Sequence, residues 1–427
     1  MSPLPRPSSI VIVGSGPAGL CAAAALVDRA PHLRNCLSVV DPSGSWLATW
    51  MRQFEAQDIT HLRSASVHHP DPAPYALLDF SRDPQRVGDE SSGFVLDGGF
   101  DLPTTNLFDA FCTDVIDRYE LAPLVRRGCI TSAGVCDQDA GGGVTVTLDS
   151  GDLIEATHVI HAGNPRARTI PQWATPVQGQ SPDPRIRHSS TVDLRVWVGE
   201  GRRVLVVGGG LTAVQLAVGA ALRDSPVVLA SRRPLTIRQF DVEPGWLGPR
   251  ELDPFCQVED WTYRRALVDL ARGGGSVPPF AARLLRAAIE AGRVRHREGF
   301  EVDTLAACGS SIDVTWAGGG SDQFDEIWLA TGSRPDAESC PVLSQIQRQR
   351  PALIVDGLPV VDHDMRWPGT DTFLVGALTA LHLGPTAGIL FGQRRAAERI
   401  ATAITGQEPT RATRREGFAT RNGATRP

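Results

Sequence analysis

At 427 residues the chain is too long for one ordinary domain and predicts two or three. A net charge of −6, with 42% hydrophobic and 21% charged residues, describes an ordinary globular protein and gives no electrostatic case for nucleic acid or an anionic membrane. The absence of lysine excludes Schiff-base catalysis and the P-loop lysine.

Eight cysteines contain no C-x-x-C pair, and the nearest two, Cys129 and Cys136, have six residues between them. That speaks against a zinc-type metal site, a disulfide framework and a dithiol redox centre. No apolar run is long enough to span a bilayer, and Met1 to Ser9 carries no secretory pattern, so the cytoplasm is the expected location.

In chain order, Ile10-Val-Ile-Val13 reads as a strand, Gly14-Ser-Gly16-Pro17-Ala18-Gly19 as a tight turn into a helix, and Leu37-Ser-Val-Val40 as a strand tipped by Asp41. Later come Val144–Leu148, a turn at 149–151 and a closing strand over 157–163. The plan then repeats. Val204–Val207 leads through Gly208-Gly-Gly210-Leu211-Thr212-Ala213 into a helix ending near Leu222, and Val227–Ala230 runs into Ser231-Arg232-Arg233. Ile312–Trp316, a Gly-rich turn and a closing strand over 326–332 follow. Such a repeat is much harder to obtain by chance than one glycine motif.

The glycines carry chemistry. Gly14 permits the turn out of the strand, Gly16 leaves room for a pyrophosphate, and Gly19 lets helix and strand approach closely. Free amides at the helix N-terminus then meet the phosphates. Asp41 stands where an acid would accept hydrogen bonds from ribose hydroxyls. In the second copy, alanine at 213 still permits close packing. Arg232 and Arg233 replace the acid there, which suits the 2′-phosphate of NADP; the alternative is a solvated surface pair.

These residues resemble the class B flavin-dependent monooxygenases, and within them the lysine- and ornithine-type N-hydroxylases, from residue 10 to about 403. Gly44-Ser-Trp46 is similar to that family's G-G-x-W. Thr60-His61-Leu62-Arg63 through Pro72 resembles its flavin-facing segment, and Leu102–Phe111 the helix entry after it. Arg187-His-Ser-Ser190 resembles its H-S-x-x-Y stretch, and Ala330-Thr331-Gly332 its A-T-G motif. Asp371–Gly376 and Leu383-Gly-Pro-Thr386-Ala-Gly388 resemble the segment that closes the FAD site. The flavin-containing monooxygenase signature is not met, since Val192 takes its aromatic position, and the ligands for a substrate carboxylate cannot be placed.

The resemblance implies an α/β fold with two Rossmann-like dinucleotide-binding domains in a glutathione-reductase-like arrangement. The FAD domain would be residues 1–175 and 335–405. An NADPH domain, 195–334, would be inserted in it, with a lid or substrate insertion at about 235–280 and a disordered, arginine-bearing tail at 406–427. The cofactors would be FAD and NADPH, and the partners O2 and a small amine or amino acid. Nucleic acid and membrane are not expected, and a homo-oligomer is left open.

The implied reaction is N-hydroxylation through a C4a-hydroperoxyflavin. Catalysis is then borne by the flavin, with Arg63, His61 and Gln53 as the side-chain candidates. The cofactor contacts would be Gly14, Gly16, Pro17, Ala18, Gly19, Asp41, Trp46 and Leu62 on the first site. Gly208, Gly210, Leu211, Thr212, Ala213, Arg232 and Arg233 serve the second, and Thr331, Gly332, Gly376, Leu383 and Thr386 complete the set. Arg63 is expected as a cation near the flavin or a nicotinamide phosphate, and His61, His68 and His69 as loop caps at the surface. Arg238–Gly248 reads as a lid or as an aromatic packing corner, Gly273–Gly275 as a hinge, and Ala281–Ala291 as a core-packing helix. A flavoprotein reductase that passes electrons to a partner, an S- or Baeyer–Villiger oxygenase, and a non-catalytic regulator remain as alternatives.

Overall fold

The computed structural model describes residues 9–87, 93–136, 142–175, 182–199 and 201–407. Both β-α-β units form as their periodicity requires: Ile10–Val13, Pro17–Arg29 and Leu37–Asp41, then Val204–Val207, Leu211–Ala221 and Val227–Ser231. Ala18 to Val27 are all buried in the first helix. Their small side chains let it lie close to both its strand and the C-terminal helix Leu390–Thr405.

Each unit grows into five parallel strands. The first sheet runs in the order Thr372–Leu374, His158–His161, Ile10–Val13, Leu37–Asp41, Val125–Arg127. The second runs Ile186–His188, Glu326–Leu329, Val204–Val207, Val227–Ser231, Val294–Glu298. Four positions follow the same chain order in both. The outermost strand differs, because the first sheet takes it from residue 372, after the second sheet is complete. Parallel strands covered on both faces need continuous apolar runs, which is how these segments read.

Between the last two of those four shared strands in chain order, each sheet carries a three-stranded antiparallel appendage. These are Ile130–Val135, Val144–Leu148 and Leu153–Ala156, and then Val302–Cys308, Ser311–Trp316 and Ser321–Phe324. Only the middle strand of each is legible in the sequence.

The outer strand of the second sheet is held by a buried carboxylate. Glu326, 3% exposed, accepts hydrogen bonds from Trp197 Nε1 at 3.0 Å, Trp328 Nε1 at 2.9 Å and Arg202 at 2.9 Å, and also from Arg187. Burial pushes the Glu326 carboxyl up, but these donors outweigh it and its pKa falls below the ordinary value. A buried charge persists only when its lone pairs are met in this way.

The stretch 235–280 packs on the half built on the first sheet. Its helix Trp261–Arg272 is capped by Asp260, which accepts from the Thr262 and Tyr263 amides, and it is closed by left-handed Gly273. Arg264 then donates to the carbonyls of Val258, Cys256 and, at 3.0 Å, Leu381, while Trp261 lies 5.0 Å from the His382 ring. Phe255 and Val268 join the core of the first sheet. Of the two readings of Arg238–Gly248, the contacts describe the aromatic corner, with Trp246 edge-on to Phe255 at 5.7 Å.

The expected helix at 281–291 is Pro279–Glu290. Gly406 closes the last helix in the left-handed region, and residues 408–427 of the expected tail lie outside the described ones. Among the described residues no helix is long and apolar enough to cross a membrane.

Candidate functional site

Both glycine turns lie at the carboxyl edge of a parallel sheet, where the strands end and the helices begin. In open α/β sheets that edge is where ligands bind. Gly14 has φ +103°, a conformation that side chains resist, and its amide donates to Val40 O at 2.9 Å. A Cβ on Gly19 would lie 2.1 Å from Gly14 O, whereas one on Gly16 would meet nothing within 4 Å. Gly16 is the N-cap of Pro17–Arg29, and no side chain caps that helix. Gly210 repeats the arrangement: it is an N-cap with no side-chain bond, and a Cβ there would also point into open space. Two helix N-termini are thus left bare beside a corner with no side chain, the arrangement that receives phosphate.

Around the first corner, Asp41 Oδ2 accepts from the Ser15 amide at 3.0 Å and Oδ1 from the Ser43 amide at 2.8 Å. Burial raises its pKa, but the bonds from Ser43 and Ser15 outweigh that and hold the carboxyl below its usual range. Asp41 is therefore an aimed acceptor. Trp46 donates to Leu121 O at 3.0 Å and packs on the first core, and Leu62 is buried with its amide on Pro103 O. Gln53 is exposed on the helix Ala48–Ala56.

The other motif segments follow the carboxyl ends of one strand in each sheet, Glu326–Leu329 of the second and Thr372–Leu374 of the first. Gly332, at φ +82°, offers its carbonyl to the Thr169 amide at 3.0 Å and to His188 Nε2 at 3.1 Å. Thr331 Oγ1 donates to Thr169 O. Gly376 has φ +94° with open space where a Cβ would stand, and Leu383 and Thr386 are buried. The amide of Val375, just before Gly376, bonds to His161 O at the tip of the neighbouring strand.

Arg63 corrects the sequence reading. All five of its N–H donors are taken: Nε by Gln239 O at 2.6 Å, Nη1 by Asp241 Oδ1 at 2.6 Å and Ser276 O, and Nη2 by Arg238 O and Ser276 Oγ, both at 2.7 Å. It is a clamp between the 60–72 segment and the 235–280 stretch, and no donor is left for a flavin or a phosphate. His68 and His69 are also corrected, because they are buried at 6% and 0% exposure rather than capping surface loops. Burial pushes their pKa values down to about 4 and about 3, so both are neutral. His61 stacks 4.1 Å from Phe280, and its Nε2 is buried with no hydrogen-bond partner.

At the second corner Arg232 stays 79% exposed, 4.0 Å from Glu301, and Arg233 donates to Gly273 O. The expected hinge at Gly273–Gly275 lies against the glycine turn itself: a Cβ on Gly275 would stand 3.6 Å from Gly210 Cα. Arg166, Arg238, Asp241 and Arg272, which sequence reasoning missed, also converge here. They sit in loops and at element ends, where no periodicity marks them.

No protein-family model matches the chain, and no curated protein matches it in sequence. Among solved structures it is similar to the FAD-bound cadaverine monooxygenase DfoA of the desferrioxamine pathway of Erwinia amylovora. The TM-score there is 0.70 at 17% identity over 93% of this chain and 94% of that one. Similarity to the ornithine N-hydroxylase KtzI of Kutzneria sp. 744, solved with reduced FAD, NADP+ and L-ornithine, is equal in fold. Its TM-score is 0.70 at 19% identity over 93% and 99%. The bacillithiol disulfide reductase Bdr of Bacillus cereus matches less closely, with a TM-score of 0.55 at 16% identity over 94% and 99%. The α/β fold with parallel sheets is thus that of flavoprotein monooxygenases, shared more distantly by a reductase.

Proposed function

We propose that the chain is an FAD- and NADPH-dependent monooxygenase that hydroxylates the nitrogen of a small amine or amino acid with O2. FAD occupies the first glycine corner and NADPH the second. The FAD domain comprises residues 1–175 and 335–405, and the NADPH domain is 195–334, inserted within it. The observation that carries this reading is the pair of bare helix N-termini, Gly16 and Gly210, at the carboxyl edges of two sheets of one plan. An acid tips the adjoining strand in one, and exposed Arg232 follows it in the other.

A bound flavin supplies the electron transfer and oxygen activation. The chain's residues supply binding, orientation and dryness. The amides of Ala18 and Gly19 would hold the FAD pyrophosphate and Asp41 would accept from its ribose, while the amides of Leu211 and Thr212 would hold the phosphates of NADPH. Gly332, Gly376, Leu383 and Thr386 would complete the two sites. His68, 5.6 Å from the Phe391 ring, is held neutral by burial and by the Arg394 charge, and adds a buried apolar face to this part of the site.

The test uses purified holoenzyme with NADPH, air and a panel of amines and amino acids. The expected result is a product one oxygen atom heavier than one panel member, with NADPH consumed in equal amount. NADPH oxidation that yields only hydrogen peroxide with every member, joined to fast reduction of a disulfide or quinone, would overturn it in favour of a reductase.

A further inference from the structure

We infer that Asp97 is a positioning residue. From the tip of a hairpin in the half built on the first sheet, it holds the helix Pro279–Glu290 and so sets how the two glycine corners face each other. The inference rests on the function proposed above for its consequence: loss of Asp97 slows the passage of electrons from NADPH to the flavin and releases neither cofactor.

The hairpin joins the strands Phe94–Asp97 and Phe100–Pro103 through Gly98 and Gly99, at φ +58° and +82°. Two left-handed residues in succession make the tight turn that returns one strand along the other. The second strand is stitched to its own half. Pro103 O accepts from the Leu62 amide at 2.9 Å, and Asp101 O from the Ser66 amide at 3.0 Å. Directly after it, Thr104 caps the helix Thr105–Arg118 by taking the Leu107 amide at 3.2 Å. That helix buries Phe108 and Phe111 in the first core and packs on Pro17–Arg29, the helix of the first corner.

The tip reaches into the other half. Asp97 is 4% exposed, and both its oxygens serve the helix Pro279–Glu290. Oδ2 accepts from the Phe280 amide at 3.2 Å, and Oδ1 from the Arg283 guanidinium. The residue before that helix is Pro278, which has no side-chain acceptor, so the cap comes from 183 positions earlier in the chain. A carboxylate is the group a helix N-terminus favours. The same helix end meets His61, whose ring lies 4.1 Å from Phe280, and Phe100 stands edge-on to Phe240 at 4.7 Å. On its inner face, Ala281 and Leu285 share a core with Ala213, Val214 and Ala217 of Leu211–Ala221, whose N-cap is Gly210. Just past the other end of Leu211–Ala221, Arg223 pairs with Asp58 at 2.6 Å. A hold there alone leaves the Gly210 end free to swing, and Asp97, acting through Pro279–Glu290, stops the swing. Arg63 does not replace it, because the acceptors it grips, Arg238 to Asp241 and Ser276, lie in loops.

The experiment compares the FAD-loaded protein with its Asp97→Ala, Asp97→Asn and Arg283→Ala variants. Stopped-flow absorbance follows flavin reduction by NADPH without oxygen, calorimetry gives NADP+ affinity, and mass spectrometry follows hydrogen exchange over residues 279–284. Asp97→Ala should lower the limiting reduction rate about tenfold or more, as a small misplacement of reacting groups does. Flavin content and NADP+ affinity should stay as they were, while exchange over 279–284 quickens. Asp97→Asn, which keeps an acceptor for the Phe280 amide, should recover most of the rate. Flavin reduced with dithionite should reoxidise in air at the unaltered rate, which a general loosening of the protein would change. An unaltered reduction rate in Asp97→Ala would overturn the inference. So would NADP+ affinity that falls in step with the rate, because Asp97 would then support the corner and not its placement. If Asp97→Ala does not fold, Asp97→Asn and Arg283→Ala, whose arginine side chain is 61% exposed, decide between the same outcomes. An unaltered chain that takes no electrons from NADPH sinks the function and not the hold, which the exchange over 279–284 still judges: no quickening in Asp97→Ala would refute it.

Discussion

The two glycine corners have one backbone plan but crowd at different points. In the first, the tight contact falls on the third glycine, where a Cβ on Gly19 would stand 2.1 Å from Gly14 O. In the second, that position is Ala213, fully buried without difficulty, and the tight contact moves to the first glycine, where a Cβ on Gly208 would stand 2.3 Å from Ala330 O. The third position tolerates a methyl group only when the helix stands slightly off its own strand, and the closing strand then comes nearer the turn. The middle glycine is alike in both, open and facing nothing. Two of the three positions thus serve packing, and the middle one is left open, as the proposed ligand requires.

The strongest way to break that comparison is to place the same methyl group at the two kinds of position. Gly19→Ala forces backbone against backbone and is expected to cost about 5 kcal/mol or to prevent folding. Gly16→Ala puts the methyl where the pyrophosphate would lie, in an extended N-cap conformation that alanine accepts (φ −73°, ψ −174°). Thermal unfolding of the flavin-free chains should show Gly16→Ala matching the unaltered protein, while flavin retained after purification falls sharply. If Gly16→Ala keeps its flavin, the first corner does not hold it through the turn.

Acid should separate the two halves next. His68, His69 and His161 are buried in the half built on the first sheet, and burial pushes their pKa values down to about 4, about 3 and about 4. An unfolded histidine titrates near 6.5, so below that pH the unfolded chain binds more protons than the folded one. The stability these groups contribute is complete above pH 6.5 and is lost progressively towards their folded pKa values. Each costs up to about 1.4 kcal/mol per pH unit, or about 4 kcal/mol for the three at pH 5.5. In the second half His188 and His296 are shifted down as well, chiefly by partial burial. Urea unfolding at pH 7.5 and 5.5, followed through the flavin, should show the midpoint falling; an unchanged midpoint would mean that these imidazoles do not stay neutral.

What could be read from the sequence follows the same division. Both β-α-β units were legible to within about a residue, because periodicity and glycine chemistry are local, and so were the bare helix N-termini. The docking of the 235–280 stretch was not. It depends on Arg264 reaching carbonyls at the end of the preceding helix and, at Leu381, more than a hundred residues away. Arg63 misled for a related reason: an arginine in a motif-like segment looks free until its five acceptors are known, and three of them are backbone carbonyls. His68 and His69 read as surface caps because polarity predicts exposure, but His69 lies edge-on to Phe111 at 5.3 Å, on the helix Thr105–Arg118, a contact between distant residues that no local pattern marks. The outer strand Ile186–His188 was equally hidden, since it is three residues long and its Arg187 pairs with Glu326 from another part of the chain.

The smallest expected effect sharpens the comparison most, because it concerns the one feature that differs by chemistry rather than by packing. Asp41 tips the strand of the first corner and is held by two amides; Arg232, one residue past the end of the equivalent strand, is held by nothing closer than Glu301 at 4.0 Å. An exposed arginine makes little contribution to stability, so Arg232→Ser should leave the unfolding midpoint in place. A charge-assisted contact to a 2′-phosphate is worth about 1.5 kcal/mol or more, so the same change should raise KM for NADPH about tenfold and leave KM for NADH as it was. Arg233 is the internal control. Its guanidinium donates to Gly273 O, so Arg233→Ser should loosen the glycine segment over the corner and weaken both dinucleotides alike. Reversed results would exchange the roles of the two arginines. If neither variant changes the ratio of the two KM values, the arginine tip does not read the phosphate, and the second corner binds its dinucleotide through backbone alone.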